Sequence, residues 1–207
     1  MVTNEGDTTR LEMFSDGVMA IAITLLALEI RVERPAGESL GNAILQSWPL
    51  LSAYAISFLQ IGIIWTNHHN RLRYFGRSDH TLLVLNILFL MGVAFIPVPT
   101  KILGEHILGS AEEFRSATAF YAGTLAFTTI WFTALWLYGA RYLLREDIEP
   151  GLRTAMNRRF VSGALVYVGA FGLAFLSPIA SLVLITVLAL RFLIPEPTSS
   201  SLDTLTS

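Results

Sequence analysis

The 207-residue chain contains no cysteine, which excludes disulfide bonds and metal sites built from thiolates. Charged residues are also scarce, at 14% of the chain, whereas hydrophobic residues make up 53%. Together with a mean hydropathy of +0.57, this composition lies far from that of a soluble globular domain. The formal net charge of -2 provides no basic field for nucleic acid. Composition therefore predicts a protein of the lipid bilayer that has no nucleic acid partner.

Six apolar runs approach the length of about 20 residues that a helix needs to cross the hydrocarbon layer. They cover residues 17–28, 44–66, 81–98, 117–140, 160–176 and 179–194. Pro97 and Pro99 are expected to end the third run, and only "SP" separates the last two runs, which predicts a tight helical hairpin. We therefore predict an all-α membrane domain with six transmembrane helices over residues 1–195. The polar tail, residues 196–207, is expected to be disordered.

The basic residues are distributed unevenly between the loops of this topology. With the N-terminus inside, ten of the fourteen lie on the cytoplasmic side, which predicts that both termini are cytoplasmic. A cleaved signal peptide is the alternative for the first run, because that run is short. The residues before it are mainly acidic, however, and no small-residue cleavage site follows, so we expect the run to be retained.

The first run is only twelve residues long, too short to face lipid along its whole length. On a helix that advances 100° per residue, Asp16 points away from the main apolar stripe, so neighbouring helices of the same subunit are expected to hold it. An apolar stripe alone indicates packing or lipid contact. The stripe contains Ile21, Leu25 and Leu28, with Gly17 and Thr24 at its border.

Two interpretations of the Ser15-Asp16 pair remain open. The pair could cap the first helix, because short polar side chains satisfy free backbone N–H groups at a helix start. Alternatively, Ser15 or Asp16 joins a polar network with residues of the next two helices. In both interpretations the pair fixes the orientation of the first helix. The candidate partners are Trp65, His68 and Asn86.

For three further residues of this region, the sequence predicts what each side chain contacts. Arg10, near the cytoplasmic end of the first helix, is expected to pair with an acidic residue rather than to contact an ion. Glu29 lies near the outer mouth, where it attracts cations or, as we favour, pairs with Arg31 or Arg34. Leu26 is expected to face lipid.

The residues Arg10 and Phe14-Ser15-Asp16, followed by "GVMAIAITLLALEI", closely resemble the signature of the transmembrane protein 175 family. The six runs, and Trp65 with His68 at the cytoplasmic end of the second helix, extend the resemblance along the chain. Animal members of the family are lysosomal potassium channels with two six-helix repeats per chain, whereas bacterial members are single six-helix units. The Phe-Ser-Asp triplet occurs once here, so by analogy four copies would replace two of the longer chains.

The resemblance implies a potassium-selective channel in a bacterial cytoplasmic membrane, built as a homotetramer around a pore that the first helix of each subunit lines. Ile21 matches the family's narrow isoleucine ring, and Thr24, Leu25 and Leu28 follow along the same helix. The chain lacks the Thr-Val-Gly-Tyr-Gly loop whose carbonyls replace a hydration shell. A modest preference for potassium over sodium is therefore expected from the aliphatic ring, which acts as filter and gate, because potassium holds its water less tightly. The expected partners are other copies of the chain, lipid and monovalent cations, with potassium as permeant ion and no cofactor.

Other functions are weighed against this one. A secondary transporter is expected to show inverted repeats and helices broken at the membrane centre, and a proton-permeable cation pathway also remains open. A membrane metalloenzyme built on "NHHN" needs three or four converging ligands, yet the chain has no H-E-x-x-H motif. It also has no P-loop, nucleophile motif or Rossmann glycine pattern, so we expect no enzyme and no resident metal. The histidines are His68, His69, His80 and His106.

Overall fold

The computed structural model describes residues 5–192, so the predicted tail at 196–207 lies outside the described residues. The described part is helical throughout, apart from connecting segments and one isolated β-bridge. Its helices are α1 (Glu5–Leu28), α2 (Leu40–Gln46), α3 (Trp48–Leu72), α4 (His80–Phe95), α5 (Pro97–His106), α6 (Ala111–Tyr142), α7 (Pro150–Ala174) and α8 (Pro178–Phe192).

Within residues 5–192, four segments are long and apolar enough to cross a membrane. Most helices extend beyond the apolar runs, because polar residues at their ends continue the helical hydrogen bonding. The first segment covers 21 residues, so α1 is longer than its twelve-residue apolar run. Together these helices confirm an all-α membrane protein. The four segments are Thr8–Leu28, Trp48–Leu72, His80–His106 and Ala111–Tyr142, and Pro178–Arg191 is a shorter apolar helix.

Pro97 and Pro99 do not end the third predicted helix. Ile96, between α4 and α5, has helical dihedral angles (φ -51°, ψ -38°), and the backbone N–H of Thr100 donates to its carbonyl at 3.1 Å. A proline is tolerated in the first turn of a helix, because an N–H at that position has no intrahelical acceptor. The chain therefore continues as α5 for ten more residues.

The longest helix, α6, has 32 residues and packs against α4, α5, α7 and α8. On the other side of the bundle, α1 packs against α3, α4 and α5. Only residues 175–177 separate α7 from α8, which confirms the predicted hairpin. Inside this hairpin, the Ser181 hydroxyl donates to the Ala170 carbonyl at 2.7 Å.

A compact aromatic cluster closes the bundle at the end where α3 and α6 finish. The Phe75 ring stacks on Trp136, with ring centroids 5.9 Å apart. At Gly139, an added Cβ would lie 2.2 Å from Cζ of Phe75, so the close approach of the ring requires glycine. The antiparallel bridge between Phe75 and Leu144 then joins the α3–α4 loop to the α6–α7 loop.

Candidate functional site

One apolar face of α1 is left uncovered by the rest of the chain. The side chains of Ile21, Leu25 and Leu28 are 60%, 39% and 73% exposed, on the stripe that helical periodicity predicts. This face can therefore contact lipid, another copy of the chain or a water-filled path. The opposite face of α1 is buried, and it consists of Leu11, Ser15, Met19, Ala22 and Leu26.

Leu26 does not face lipid, so that prediction is wrong. Its side chain is only 2% exposed and belongs to the main hydrophobic core. Leu26 lies four residues after Ala22, and this spacing places the two side chains on the same face of a helix. Because every residue from 17 to 23 is apolar or glycine, polarity alone could not distinguish the face that packs inward from the face that lipid would cover.

Two small residues border the exposed stripe. The Thr24 hydroxyl donates to the Ile21 carbonyl of the same helix at 2.8 Å. The hydroxyl oxygen of Thr24 can therefore still accept a hydrogen bond or bind a cation. Gly17 is exposed, and an added Cβ there would meet no atom within 4 Å. The stripe is thus aliphatic except for the hydroxyl oxygen of Thr24.

On the buried face, three polar side chains form a hydrogen-bonded chain across α1, α4 and α3. The Asn86 amide donates to Oγ of Ser15 at 3.0 Å, and its Oδ1 lies 2.9 Å from Nε2 of His68. Ser15 itself donates to the Leu11 carbonyl at 2.8 Å. All three side chains are fully buried, where losing a partner costs about 1–3 kcal/mol. This chain, which we call the polar anchor, therefore fixes the rotation of α1.

Asp16 extends the contact between α1 and α3. The Trp65 indole N–H donates to Oδ1 of Asp16 at 2.9 Å, so Asp16 is held by a neighbouring helix of its own chain. The interpretation of Ser15 and Asp16 as an N-cap is wrong, because α1 begins at Glu5 and both residues lie well inside the helix. The structure brings these two residues together with Trp65, His68 and Asn86.

Charges at the two ends of α1 have different surroundings. Glu29 forms an ion pair with Lys101 of α5, with Oε2 and Nζ 3.0 Å apart, instead of pairing with Arg31 or Arg34. The expected partner was wrong because α5 continues past the prolines and carries Lys101 to the end of α1. At the other end, Arg10 is exposed.

Arg71 is a buried residue that sequence reasoning had placed among the cytoplasmic charges. Its side chain is 1% exposed, and its guanidinium lies between the rings of Phe132 and Phe160, 3.5 Å and 3.2 Å from their centroids. Such cation–π contacts stabilise a desolvated arginine. A signal was present in the sequence, because Arg71 follows His68, a predicted partner in the polar network, by three residues on the same helix.

Buried polar pairs elsewhere in the bundle were also missed. The hydroxyl of Thr100 donates to Ser57 at 2.8 Å, and Ser57 lies 3.0 Å from the hydroxyl of Tyr121. The Gln60 amide donates to the Tyr167 hydroxyl. Hydrogen bonds of this kind hold helices together within a membrane. The sequence did not reveal these pairs, because the partners lie 43 to 107 residues apart.

Several apolar helices, joined by buried polar contacts, define a multi-pass membrane protein. The family described as endosomal/lysosomal potassium channel TMEM175 matches residues 10–97. This chain belongs to the TMEM175 family, which is a family of ion channels, so the expectation that it is not an enzyme is confirmed.

Bacterial relatives match almost the whole chain. It is 39% identical over 198 residues to a potassium channel of Streptomyces collinus, covering 93% of this chain and 96% of that protein. It is 37% identical over 193 residues to a potassium channel of Chamaesiphon minutus, covering 91% and 94%. The crystal structure of a lysosomal potassium-selective channel TMEM175 homologue from Chamaesiphon minutus superposes with a TM-score of 0.82 at 36% identity, covering 90% of this chain and 96% of that one.

A vertebrate relative matches over a shorter region. The endosomal/lysosomal proton channel TMEM175 of Gallus gallus is 33% identical over 140 residues, which are 61% of this chain but 28% of that protein. The vertebrate chain is therefore much longer than this one.

Proposed function

We propose that this chain is the subunit of a potassium channel, and that four copies surround a central pore lined by α1. Support comes from the bacterial relatives named potassium channels, which match at nearly full length. The observation that carries the proposal is the exposed apolar face of α1, opposite a buried polar anchor. A single α1 cannot enclose a pore, so this face needs copies of itself around a symmetry axis.

In this proposal the chain crosses the membrane six times and forms one domain over residues 1–195. The six spans are α1, α3, α4 together with α5, α6, α7 and α8. Both termini are then cytoplasmic, because ten of the fourteen basic residues fall on that side. The bacterial relatives support the bacterial cytoplasmic membrane as the location.

Ile21 forms the narrowest ring of the proposed pore. Four isoleucine side chains on the axis leave an opening lined by methyl groups, which tends to empty of water and so acts as a gate. A passing ion must shed or deform part of its water shell, because the ring offers it no oxygen. Potassium holds that water less tightly than sodium, so the same ring gives a modest preference for potassium.

The remaining residues of the site fall into two groups in this proposal. One group continues the pore wall, where Leu25 and Leu28 form wider rings and Thr24 supplies a hydroxyl oxygen. The other group does not contact the ion but aims α1 at the axis. It consists of Arg10, Phe14, Ser15, Asp16, Trp65, His68 and Asn86.

Flux through liposomes that contain the purified protein tests this proposal. We expect passive, non-saturating flux of potassium, caesium and, more slowly, sodium, carried without a coupled ion. Flux that saturates with cation concentration would indicate a secondary transporter instead. Because a vertebrate relative is named a proton channel, a pH-sensitive dye is read in parallel. Collapse of a pH gradient without potassium flux would identify a proton pathway and contradict the proposal.

A further inference from the structure

We propose that Glu12, Asp16 and His69 form a binding site for a transition-metal ion of the zinc class, which links α1 to α3. The site lies beside the polar anchor and outside the exposed stripe of α1. It concerns the binding of a metal to the folded chain, so it stands whether or not the pore conducts potassium.

The three side chains converge on one small volume. One ligand atom from each residue lies within 4.8 Å of the other two. Zinc ligands lie about 2.0–2.2 Å from the metal, which places the atoms of a tetrahedral shell roughly 3.4 Å apart. Small side-chain rotations therefore suffice to bring the three atoms to bonding distance, and water can complete the shell.

The chemistry of the donors selects the metal. The set contains one imidazole nitrogen and two carboxylate oxygens, and zinc binds ligands of both types. Magnesium and calcium prefer shells made of oxygen alone, whereas imidazole favours zinc and its transition-metal neighbours. The site is therefore expected to bind Zn²⁺ and Co²⁺ much more tightly than Mg²⁺.

The histidine nitrogen directly faces one of the two carboxylates. Nδ1 of His69 is buried and lies 2.5 Å from Oε1 of Glu12. Within the described part of the chain, this nitrogen makes no hydrogen bond of acceptable geometry. The two atoms form an ion pair, and they would have to move apart by about 1 Å to bind one zinc ion between them.

Helical spacing orients the ligands in advance. Glu12 and Asp16 are four residues apart on α1, and Trp65 and His69 are four apart on α3, so each pair shares a helix face. The Trp65 indole donates to Oδ1 of Asp16 at 2.9 Å and stacks on the His69 ring, with centroids 5.9 Å apart. Trp65 thus orients both Asp16 and His69, and it leaves Oδ2 of Asp16 for the metal. Residues that contact metal ligands commonly orient them in this way.

The site is accessible to ions from solution. The side chains of His69 and Glu12 are 36% and 26% exposed, so an ion can approach the cluster without unfolding, although Nδ1 of His69 itself is covered. Sequence reasoning missed the site because it looked for ligands near "NHHN", where His68 is buried in the polar anchor. The carboxylates lie on another helix, more than 50 residues earlier in the chain.

Zinc binding to the full chain in detergent tests the proposal. The protein is prepared without a histidine tag, stripped with a chelator and titrated with Zn²⁺ by calorimetry. We expect one ion per chain and a Tm that rises with Zn²⁺ but not with Mg²⁺. Titration with Co²⁺ should give the strong visible absorption of a tetrahedral site.

Glu12→Gln and His69→Gln are each expected to weaken zinc binding at least tenfold and to abolish the cobalt absorption. His106→Gln and Glu112→Gln, which change the same residue types at another end of the bundle, serve as matched controls and should bind as the parent does. The proposal is overturned if the folded parent shows no saturable zinc binding, or if both ligand variants bind zinc like the controls. If one ligand variant fails to fold, the other variant and the cobalt spectrum of the parent still decide.

Discussion

Phe14, Ser15 and Asp16 project from α1 in three different directions, because successive helical residues are rotated by 100°. Phe14 is exposed, Ser15 reaches α4 through Asn86, and Asp16 reaches α3 through Trp65. Rotating α1 by one position would bury Phe14 in the place of Ser15 and break both hydrogen bonds. Three adjacent, chemically unlike residues therefore define one rotation of the helix.

Ile21→Asn tests the residue proposed to form the constriction. Polar side chains should keep water in the ring, so we expect higher ion flux and a smaller preference for potassium over sodium. Leu25→Asn and Leu28→Asn should act in the same direction but more weakly. Currents of both cations across planar bilayers measure the effect.

The control for this series is Leu165→Asn, on an exposed position of α7, a helix outside the proposed pore. Leu26 is unsuitable because it is buried and an asparagine there would damage the core. Unchanged conductance and selectivity in Ile21→Asn would place the constriction elsewhere.

Asp16→Ala tests whether this residue supports the fold rather than the passage of ions. Loss of the hydrogen bond to Trp65 should destabilise the folded chain by about 0.5–2 kcal/mol, and we expect poorer expression and dissociation of subunits. Trp65→Phe removes the same bond from the other side. The double variant should therefore lose less than the sum of the single losses, measured by unfolding in mixed micelles. A stable tetramer with altered cation selectivity alone would make Asp16 a pore ligand.

At the scale of the helices, sequence reasoning placed the apolar runs in helical parts of the described chain but misplaced the helix ends, and the second run covers parts of both α2 and α3. Polarity marks where lipid contact stops, whereas the backbone hydrogen bonding of α1 and α3 continues through polar turns. The face of α1 that carries Ile21 was predictable from periodicity. The partners of Asp16 and Glu29 were not settled by it, because Trp65 and Lys101 are brought close only when α3 and α5 pack against α1.

Gly139→Ala tests the close packing of Phe75, in the loop that follows α3, against α6. The added Cβ would lie within 2.2 Å of the Phe75 ring, so the ring must move and lose its stacking on Trp136. Overpacking of this kind typically costs about 1–3 kcal/mol, and we expect a lower Tm. Gly169→Ala, where a Cβ would meet nothing within 4 Å, is the matched control on α7. Equal Tm values for the two variants would show that Phe75 moves without cost.

Asp79 links the start of α4 to α6 and makes this contact sensitive to pH. Burial opposes ionisation of its carboxyl, but hydrogen bonds from Tyr138 and from the Leu82 backbone lower the pKa of Asp79 below its usual value. Because the folded pKa is the lower one, the stabilisation is complete above the unfolded pKa and is lost as pH falls through the folded pKa. Asp79→Asn should therefore lower Tm near about pH 7 and have a smaller effect near about pH 3. An equal difference at both pH values would contradict this assignment.

At the scale of the whole molecule, the exposed face of α1 predicts assembly. Large apolar side chains that are exposed along an entire helix face must be covered by lipid or by other copies, and the proposed pore needs those copies. Native mass measurement of the detergent-solubilised protein should give four chains per particle. Ion flux from preparations that contain only monomers or dimers would rule out the central pore.

The polar anchor also makes α1 a lever with unequal arms. Ser15 is tied to its neighbours near one end, so a tilt of α1 has its pivot there. At a rise of 1.5 Å per residue, Ile21 lies roughly 9 Å and Leu28 roughly 19 Å from the pivot. A given tilt therefore displaces Leu28 more than twice as far as Ile21. Breaking the Glu29–Lys101 ion pair releases the longer arm, so in the proposed pore the width of the outer mouth would change more steeply with tilt than that of the proposed ring at Ile21.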